Sequence, residues 1–374
     1  MKLNSDATRS WNGGDTVGQG QIVKVGDWVV VRPAHEILAT LDQKSCLQEL
    51  PFMPQMLQHC GKSFRVRKRA HKMCDTVWGT GARHMTDAVF LDDSVCDGKK
   101  FGGCEMGCSI VWKEAWLRPL GGDDVASLSV PEERQATERL AALADFACQR
   151  PGKAGGETVF MCQATKIPAA TKPLPWWSLN QYVTDYKSGN VNLSTLLPRT
   201  FFMFYSQLVT SGLGFGSALR WLYNAVQSAL GGVPFPLEKG YLRAGGPTPA
   251  VNLGLRVGEL VRVKSREQIL ETVDTNLVNR GMGIHPVMLP YCGKTFRVKQ
   301  RVYKLINEKN GQLVTLKNSC IILDGAGCDG RFTTPVNCPR ALAPYWREIW
   351  LERVEEVATT PHSAAEEPKV SVNA

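Results

Sequence analysis

Apolar and polar residues alternate along two short stretches, Ile22 to Val31 and Leu255 to Val263, as they do in a half-buried β-strand. A helical pattern follows each stretch, at Ala34 to Leu41 and at Arg266 to Val273. Several strand-like runs separated by Gly, Asp and Asn come next. Because several short strands with regular turn signals in about 100 residues are typical of small β-barrels, the pattern predicts a barrel at each place, and we favour an SH3-like form.

The two regions read as copies of one sequence module. A shift of 232 residues aligns Cys60 with Cys292 and Cys96 with Cys328, and after a two-residue insertion Cys104 aligns with Cys338. The longer matches are Val25-Gly26-Asp27 with Val257-Gly258-Glu259, Phe64-Arg65-Val66 with Phe296-Arg297-Val298, Cys96-Asp97-Gly98 with Cys328-Asp329-Gly330, and Trp112-Lys113-Glu114-Ala115-Trp116-Leu117 with Trp346-Arg347-Glu348-Ile349-Trp350-Leu351. So many ordered matches predict an internal duplication. We expect the four tryptophans to fill the cores.

Between the copies the chain becomes helical in pattern. Val130 to Cys148 is rich in Ala, Leu and Glu at helical spacing and starts with Pro131, which suits a first helical turn. The predicted fold class is mainly β with α insertions (α+β), with two duplicated SH3-like modules joined by a partly helical middle region. The predicted organisation is a flexible N-terminus at 1–20, a first Cys-rich module at 21–120, a helical middle region at 121–250, a second module at 251–356 and a disordered tail at 357–374.

One stretch of the middle region, Thr200 to Leu219, is twenty residues long and has no charged side chain. Its length could just span a bilayer. Its glycines and its Gln, Ser and Thr side chains make it a poor solute for hydrocarbon, however. A buried helical hairpin or an amphipathic element on the surface is therefore favoured, and contact with a membrane surface or a protein partner through 200–219 stays open.

Charge and cysteine content narrow the class of protein. The chain has 44 Lys and Arg against 35 Asp and Glu, a formal net charge of +9, and 12 cysteines in 374 residues. This composition excludes a small disulfide knot, a collagen-like repeat and a coiled coil. The polar start of the chain lacks the pattern of a secretory signal, so we expect a cytoplasmic protein. In that reducing compartment the cysteines are expected to be buried thiols, metal ligands, or redox or nucleophilic groups.

Nine cysteines lie within the two copies and are candidate metal ligands, because soft thiolates suit Zn²⁺ and iron–sulfur clusters. The run from Cys96 through Cys104 to Cys108 suits this role, since its glycines permit turns that bring amides close to sulfur. We expect an iron–sulfur cluster, with zinc as the alternative, and buried thiols packed as small apolar groups as the competing interpretation. The candidate ligands are Cys60, Cys74, Cys96, Cys104, Cys108, Cys292, Cys320, Cys328 and Cys338, of which Cys74, Cys96, Cys104 and Cys108 are assigned to the cofactor of the first copy.

A basic strand precedes these cysteines. Over Phe64 to Lys72, strict alternation places Arg65, Arg67, Arg69 and His71 on one face. Such a row of cations suits nucleic-acid phosphates, a small anionic substrate or an acidic protein, or it is a solvated edge strand protected by charge. We expect Arg67 and Arg69 to bind an anionic substrate. His71 is a candidate acid or base, because its ordinary pKa lies near neutrality.

Several established signatures are missing from the sequence. It has no His-Glu-x-x-His, no phosphate loop, no Gly-x-Ser-x-Gly elbow and no dinucleotide fingerprint after a strand. Nucleotide-driven and serine-hydrolase chemistry are therefore disfavoured. Nucleic acid is also not favoured as the partner, because a net charge of +9 is modest for this length and no aromatic pattern accompanies the basic strand.

Four motifs carry a resemblance to a group of bacterial proteins of no established activity. They are Cys60-Gly-Lys-Ser-Phe-Arg-Val-Arg-Lys-Arg-Ala-His-Lys-Met-Cys74-Asp-Thr, the run Cys96-Asp-Gly to Trp112-Lys-Glu-Ala-Trp-Leu117, Cys162-Gln-Ala-Thr165, and Tyr345-Trp-Arg-Glu-Ile-Trp-Leu-Glu-Arg353. The likeness covers the chain from about Val25 to Val354. It implies a bacterial origin and a shared residue pattern, and it supplies no mechanism.

Taken together, these observations predict a cytoplasmic metalloprotein with Cys-ligated iron–sulfur or zinc centres. As an enzyme it would be a biosynthetic or redox enzyme acting on a small anionic substrate, with the site in the first copy. The alternative is a nucleic-acid-binding or scaffold protein whose SH3-like barrels are stabilised by zinc.

Overall fold

A computed structural model describes residues 23–121, 129–152, 156–236, 239–333 and 335–355. The predicted flexible N-terminus and disordered tail lie outside these residues. The described part is an α+β structure in which the named strands pair antiparallel.

The strands are, in chain order, β1 (Trp28–Val31), β2 (Cys46–Leu47), β3 (Leu50–Pro51), β4 (Ser63–Arg69), β5 (Lys72–Cys74), β6 (Ala82–His84), β7 (Ala88–Val95), β8 (Ser109–Lys113), β9 (Leu117–Pro119), β10 (Gln149–Arg150), β11 (Val159–Phe160), β12 (Lys172–Leu174), β13 (Leu260–Val263), β14 (Val278–Asn279), β15 (Met282–Gly283), β16 (Thr295–Ile306), β17 (Leu313–Leu323) and β18 (Leu351–Arg353). The α-helices are α1 (Ala34–Thr40), α2 (Val130–Ala147), α3 (Gln163–Ala170), α4 (Asn180–Lys187), α5 (Leu193–Thr210), α6 (Gly216–Leu230) and α7 (Arg266–Leu270). Short 3-10 helices occupy Pro54–His59, Glu114–Trp116, Pro286–Tyr291 and Glu348–Trp350.

Two half-barrel sheets organise the chain, one in each half of the sequence. The first has the strand order β8-β7-β4-β1-β9 and the second β17-β16-β13-β18. Trp28 of β1 pairs with Arg65 of β4, and Leu260 of β13 pairs with Arg297 of β16. These are the residues that the 232-residue shift aligns. The aligned sequences therefore form the same strand pairs in the same register.

The four tryptophans fill the cores of these sheets, as predicted. Trp112, Trp116, Trp346 and Trp350 are completely buried. The indole N–H of Trp112 donates to Ser94 Oγ at 2.8 Å, so its polar atom is satisfied inside the core. Their aromatic bulk anchors the segments that lead into β9 and β18.

The bulge in β4 changes the arrangement of the basic residues. The pairing of β4 with β7 shifts between Val66 and Lys68, and the pairing of β16 with β17 shifts at the corresponding residues. A bulge redirects the side chains that follow it. Arg67 and Lys68 are in consequence both half-buried and border the same cleft. The single strand predicted over Phe64 to Lys72 is wrong, because β4 ends at Arg69 and β5 starts at Lys72.

Each half places its Cys-rich loop on a strand of the other half. Cys104 Sγ, in the first half, accepts the N–H of Ile306 at the end of β16. In the opposite direction, Cys338 Sγ accepts the N–H of Cys74 at the end of β5, at 3.3 Å. Cys104 aligns with Cys338 and Ile306 aligns with Cys74, so the two contacts are equivalent. The halves thus meet through their cysteine loops.

The middle region is helical, and the helix predicted at Val130 to Cys148 is confirmed as α2. The uncharged stretch at 200–219 forms the end of α5, a turn and the start of α6. It lies on the surface as a helical hairpin, with Phe201 69% exposed and Trp221, further along α6, 72% exposed. No helix among the described residues is long and apolar enough to cross a membrane. Contact of the hairpin with a membrane surface stays a prediction.

Candidate functional site

Four cysteines from two distant parts of the chain border one small cavity. Cys96 follows β7, Cys104 lies in the loop, Cys108 precedes β8, and Cys162 is the residue before α3. The cavity has a volume of about 30 Å³, which is room for about two water-sized groups. Three of the four cysteines predicted for the first cofactor therefore meet here. Cys74 does not border the cavity, and Cys162 takes the fourth place.

Backbone amides point at the sulfur atoms of this four-cysteine cavity. The donors are the N–H groups of Gly98 for Cys96, of Met106 and Ile306 for Cys104, and of Thr165 and Ala164 for Cys162. Amide hydrogen bonds of this kind stabilise charge on sulfur and are typical of thiolate-ligated metal sites.

A glycine makes the turn of this loop. Gly98 has a φ of +65°, and a Cβ there would lie 1.8 Å from the carbonyl oxygen of Cys104. Its counterpart Gly330 has a φ of +69°, and a Cβ there would lie 2.6 Å from the amide nitrogen of Cys338. Both positions exclude a side chain, so each Cys-Asp-Gly sequence forms a turn that a larger residue would disrupt.

Burial raises the pKa of all four thiols of the cavity, that of Cys96 to about 12. With no metal ion bound the thiols are neutral. A bound metal ion would displace their protons and hold them as thiolates. No group of three or more His, Cys, Asp or Glu side chains in the described part of the chain stands at metal-ligand spacing. To ligate one ion, the four cysteine side chains would have to rotate to other ordinary rotamers that direct their sulfur atoms into the cavity.

A second group of sulfurs joins the two halves. The Cys338 thiol donates a hydrogen bond to Cys74 Sγ, which with the nearby Arg340 guanidinium lowers the pKa of Cys74 to about 6 although burial opposes this. The same hydrogen bond and burial raise the pKa of Cys338. Cys328 lies close enough to Cys74 for its own pKa to respond to it. One proton is therefore shared by Cys74 and Cys338, with the thiolate on Cys74.

Arg340 is a buried cation between the two groups of cysteines. Its guanidinium donates to Thr76 Oγ1 at 2.7 Å and lies 3.2 Å from the Glu308 carboxylate. It also borders the four-cysteine cavity. Although burial lowers the pKa of Arg340, Glu308 and the thiols of Cys74 and Cys108 together raise it above its ordinary value. Arg340 thus keeps its charge at the contact between the halves.

A polar cleft of about 500 Å³ opens over Cys338 and Cys328. Among the described residues that border it, three are cations, Arg67, Lys68 and Arg199, and one is a carboxylate, Asp329. Arg199 lies 2.9 Å from that carboxylate. Burial lowers the pKa of Lys68, and the neighbouring charges of Arg67 and Arg199 lower it further. The cleft therefore has an excess of positive charge that a bound anion would offset.

The other two residues predicted to act in catalysis lie elsewhere. His71 is buried, with Nε2 2.9 Å from Oδ1 of Asp185, whose other oxygen lies 2.5 Å from Lys72 Nζ. Arg69 is buried and pairs with Glu114 at 2.5 Å. These contacts fix the chain between β4 and β5. Of the three predicted catalytic residues only Arg67 borders the cleft, and a catalytic role for His71 and Arg69 stays a prediction.

The remaining candidate ligands have the surroundings of packed thiols. Cys60 and Cys292 each follow a 3-10 helix and lie against a hydrophobic core, and burial raises their pKa to about 12 and about 11. Cys320 is buried, with its sulfur 3.5 Å from that of Met282. These contacts fit the competing interpretation of buried apolar thiols.

Four residues that shape these sites were not assigned from the sequence, namely Cys162, Lys68, Arg199 and Arg340. Cys162 lies outside the repeat, and only folding brings α3 to the loop of the first half. Arg340 had a signal, because it is a charged residue aligned with Met106 in an otherwise similar loop. Strict alternation places Lys68 on the opposite face of the strand from Arg67, and the bulge removes this alternation.

Comparison with known proteins adds no relative. No family model matches the chain, and no curated protein matches it in sequence. Function is therefore argued from the chemistry of the two cysteine groups and the cleft.

Proposed function

We propose that the protein is a metalloprotein in which Cys96, Cys104, Cys108 and Cys162 ligate one soft metal ion. The observation that carries this proposal is the meeting of four thiols from separate segments around one cavity, with backbone amides directed at three of the sulfurs. Four thiolates form the tetrahedral donor set of structural Zn²⁺ sites. Such a site would fasten the first Cys-rich loop to α3 of the middle region.

The size of the cavity favours zinc over an iron–sulfur cluster. A volume of about 30 Å³ suits a single ion, whereas a cluster of several iron and sulfur atoms would require the loop to move outward. Zn²⁺ with four thiolates carries a net negative charge. The buried Arg340 guanidinium at the edge of the cavity would offset it.

A small anionic molecule is the ligand we propose for the cleft. Three cations against one carboxylate favour an anion, and a volume of about 500 Å³ is that of a small-molecule site. Binding of nucleic acid or docking of a partner protein is the alternative, and the concave shape of the cleft favours the small molecule.

We also infer the finer organisation around these sites. The common register of the two half-barrels supports two copies of an SH3-like module, at 21–120 and 251–356, joined by the region 121–250. All twelve cysteines are unpaired, which supports a reducing compartment, the cytoplasm.

Elemental analysis of the full chain tests the metal proposal. The protein is purified anaerobically without chelators, and zinc, iron and sulfide are measured with the visible spectrum. We expect about one zinc per chain and no colour. In Cys96→Ser and Cys162→Ser we expect the metal to be lost, because three thiolates hold Zn²⁺ less tightly than four.

Cys60→Ser is the matched control, since Cys60 is a half-buried thiol that does not border the cavity. It should retain the full metal content. Replacement by Co²⁺ gives a spectrum that reports thiolate ligation in folded protein, which separates loss of a ligand from loss of the fold. Full zinc retention in both Cys96→Ser and Cys162→Ser would overturn the proposal, and brown protein containing sulfide would replace zinc by a cluster.

A further inference from the structure

Cys338, one member of the thiol pair with Cys74, borders the basic cleft, and neither of the two residues borders the four-cysteine cavity. The Cys338 sulfur is 3.3 Å from the amide nitrogen of Cys74. The two residues are 264 positions apart in the sequence and come from opposite halves. The Cys338 thiol also donates a hydrogen bond to Cys74 Sγ, so the two sulfurs are in contact, as the formation of a disulfide between them requires.

Cations surround this pair. Arg340 donates to the carbonyl oxygen of Cys74 at 3.4 Å. The buried Lys72, which is two residues before Cys74 in β5 and pairs with Asp185, is close enough to Cys338 to interact with its charge. Arg340 favours the thiolate on Cys74, which can take the proton of Cys338 as Cys338 attacks, and a thiolate is the species that attacks a disulfide.

The excess of positive charge in the cleft favours a negatively charged reaction partner. Arg67 and Lys68 reach the cleft from the bulge of β4, and Arg199 from α5. Asp329 offsets one of these three charges, and a neutral or cationic molecule would leave the remaining positive charge uncompensated. A molecule with one or more carboxylates and a sulfur atom would place the carboxylates at the mouth and the sulfur toward Cys338.

We propose that Cys74 and Cys338 form a dithiol/disulfide couple that exchanges with a small disulfide bearing carboxylates, bound in the basic cleft. This rests on the cleft part of the proposed function and is independent of the metal centre. Cys338 attacks one sulfur of the small disulfide while its proton passes to Cys74. The sulfur–sulfur bond of the small molecule breaks, and one thiolate leaves.

The second half of the exchange closes the protein disulfide. Cys74 attacks the Cys338 sulfur of the mixed disulfide, and the second small thiol leaves with the proton that the pair had shared. The protein loses two electrons and the small disulfide gains them, so that one disulfide and a dithiol give one disulfide and two thiols. The reverse sequence reduces the protein.

Oxidation of the full chain by three small disulfides tests this inference. Oxidised glutathione carries carboxylates, hydroxyethyl disulfide is neutral and cystamine is cationic. We expect peptide mapping to find a Cys74–Cys338 crosslink, formed by oxidised glutathione about tenfold faster than by hydroxyethyl disulfide at low salt, with the difference reduced at high salt.

Two variants separate the thiol pair from the cleft. Lys68→Gln introduces the residue that stands at the equivalent position of the second half, Gln300. It should lower the rate with oxidised glutathione by a larger factor than the rate with hydroxyethyl disulfide, and so reduce the preference for oxidised glutathione. Cys328→Ser removes the neighbouring third thiol and should retain the crosslink.

Three results would count against the inference. Absence of the crosslink with all three disulfides, in protein that reacts fully when unfolded, would overturn the couple. A crosslink to Cys328 in place of Cys338 would overturn the assignment of the pair. Equal rates with all three disulfides would overturn the anionic partner, and with it the proposed anion site, whereas zinc content would be unaffected in each case.

Discussion

The two cysteine groups share a loop design and differ in what surrounds it. Cys96 and Cys104 in the first half correspond to Cys328 and Cys338 in the second, and a glycine makes the turn in both loops. In the first half Cys108 and Cys162 complete a small, mostly apolar cavity, where burial raises each thiol pKa. Such thiols are neutral, because burial outweighs the effect of Arg340 at the edge of the cavity.

In the second half the same loop is surrounded by charge. Leu342 stands where the first half has Cys108, and Arg340 where it has Met106. The partner sulfur comes from Cys74, whose pKa is lowered by the Cys338 hydrogen bond and by Arg340. The difference between the two halves shows that the loop brings sulfurs together, whereas a few neighbouring residues decide whether the thiols line an apolar cavity or form a hydrogen-bonded pair beside a basic cleft.

Arg340→Met should have the largest effect on the difference between the two cysteine groups, because it gives the second half the methionine that the first half has at Met106. Glu308, whose side chain is 10% exposed, would lose its cationic partner and keep the hydrogen bond from Thr76. A buried carboxylate without its cation costs about 3–5 kcal/mol of unfolding free energy. Urea unfolding of the full chain measures this change.

Two controls accompany Arg340→Met. The double variant with Glu308→Gln removes the unpaired charge and should recover most of the loss. Arg353→Met breaks a pair with Glu259 in which the arginine side chain is 51% exposed, and it should cost about 1 kcal/mol or less. A cost for Arg340→Met as small as that for Arg353→Met would show that Arg340 does not hold the halves together.

Gly98→Ala should have the next largest effect and should act on the first site alone. A Cβ at Gly98 would overlap the Cys104 carbonyl at 1.8 Å, so the loop must move. We expect loss of bound zinc and a fall in unfolding free energy of about 2–4 kcal/mol. Elemental analysis and urea unfolding measure the two effects.

Gly103→Ala is the matched control in the same loop. Gly103 has a φ of +78°, but no atom lies within 4 Å of a Cβ placed there. The substitution should cost only backbone strain, about 1 kcal/mol, and retain zinc. Equal metal loss in both variants would mean that the loop tolerates no change of backbone, and would remove the steric explanation.

The sequence predicted the repeating parts of the molecule better than its sites. Alternation and the 232-residue shift indicated the paired sheets, α2 and the buried tryptophans, because burial imposes regular patterns on local sequence. The bulge at Arg67 has no such signature, and it placed Lys68 in the cleft. Cys162 was in no predicted ligand set and Cys74 was predicted for the first cofactor, yet Cys162 borders the cavity and Cys74 contacts Cys338. Tertiary contacts between distant segments, which no spacing encodes, decide which sulfurs meet.

The smallest predicted effect is a shift in the pKa of the Cys74 thiol. It tests whether the second cysteine group differs from the first in charge. The thiolate of Cys74, seen as the far-ultraviolet difference between the wild type and Cys74→Ser, should persist at neutral pH and disappear as the pH falls through about 6. Cys338→Ala removes the hydrogen bond that contributes most to the low pKa. The titration should then move upward toward the ordinary thiol value of about 8.5.

Cys60→Ser should leave this titration unchanged, because Cys60 lies against the core of the first half and touches neither group. Arg340→Met should also move it upward, since the charge of Arg340 and its hydrogen bond both lower the pKa of Cys74. A difference signal that titrates like an ordinary thiol in the wild type would make Cys74 a buried neutral thiol. The two groups would then differ only in the number of sulfurs, and the charge-based contrast between them would fail.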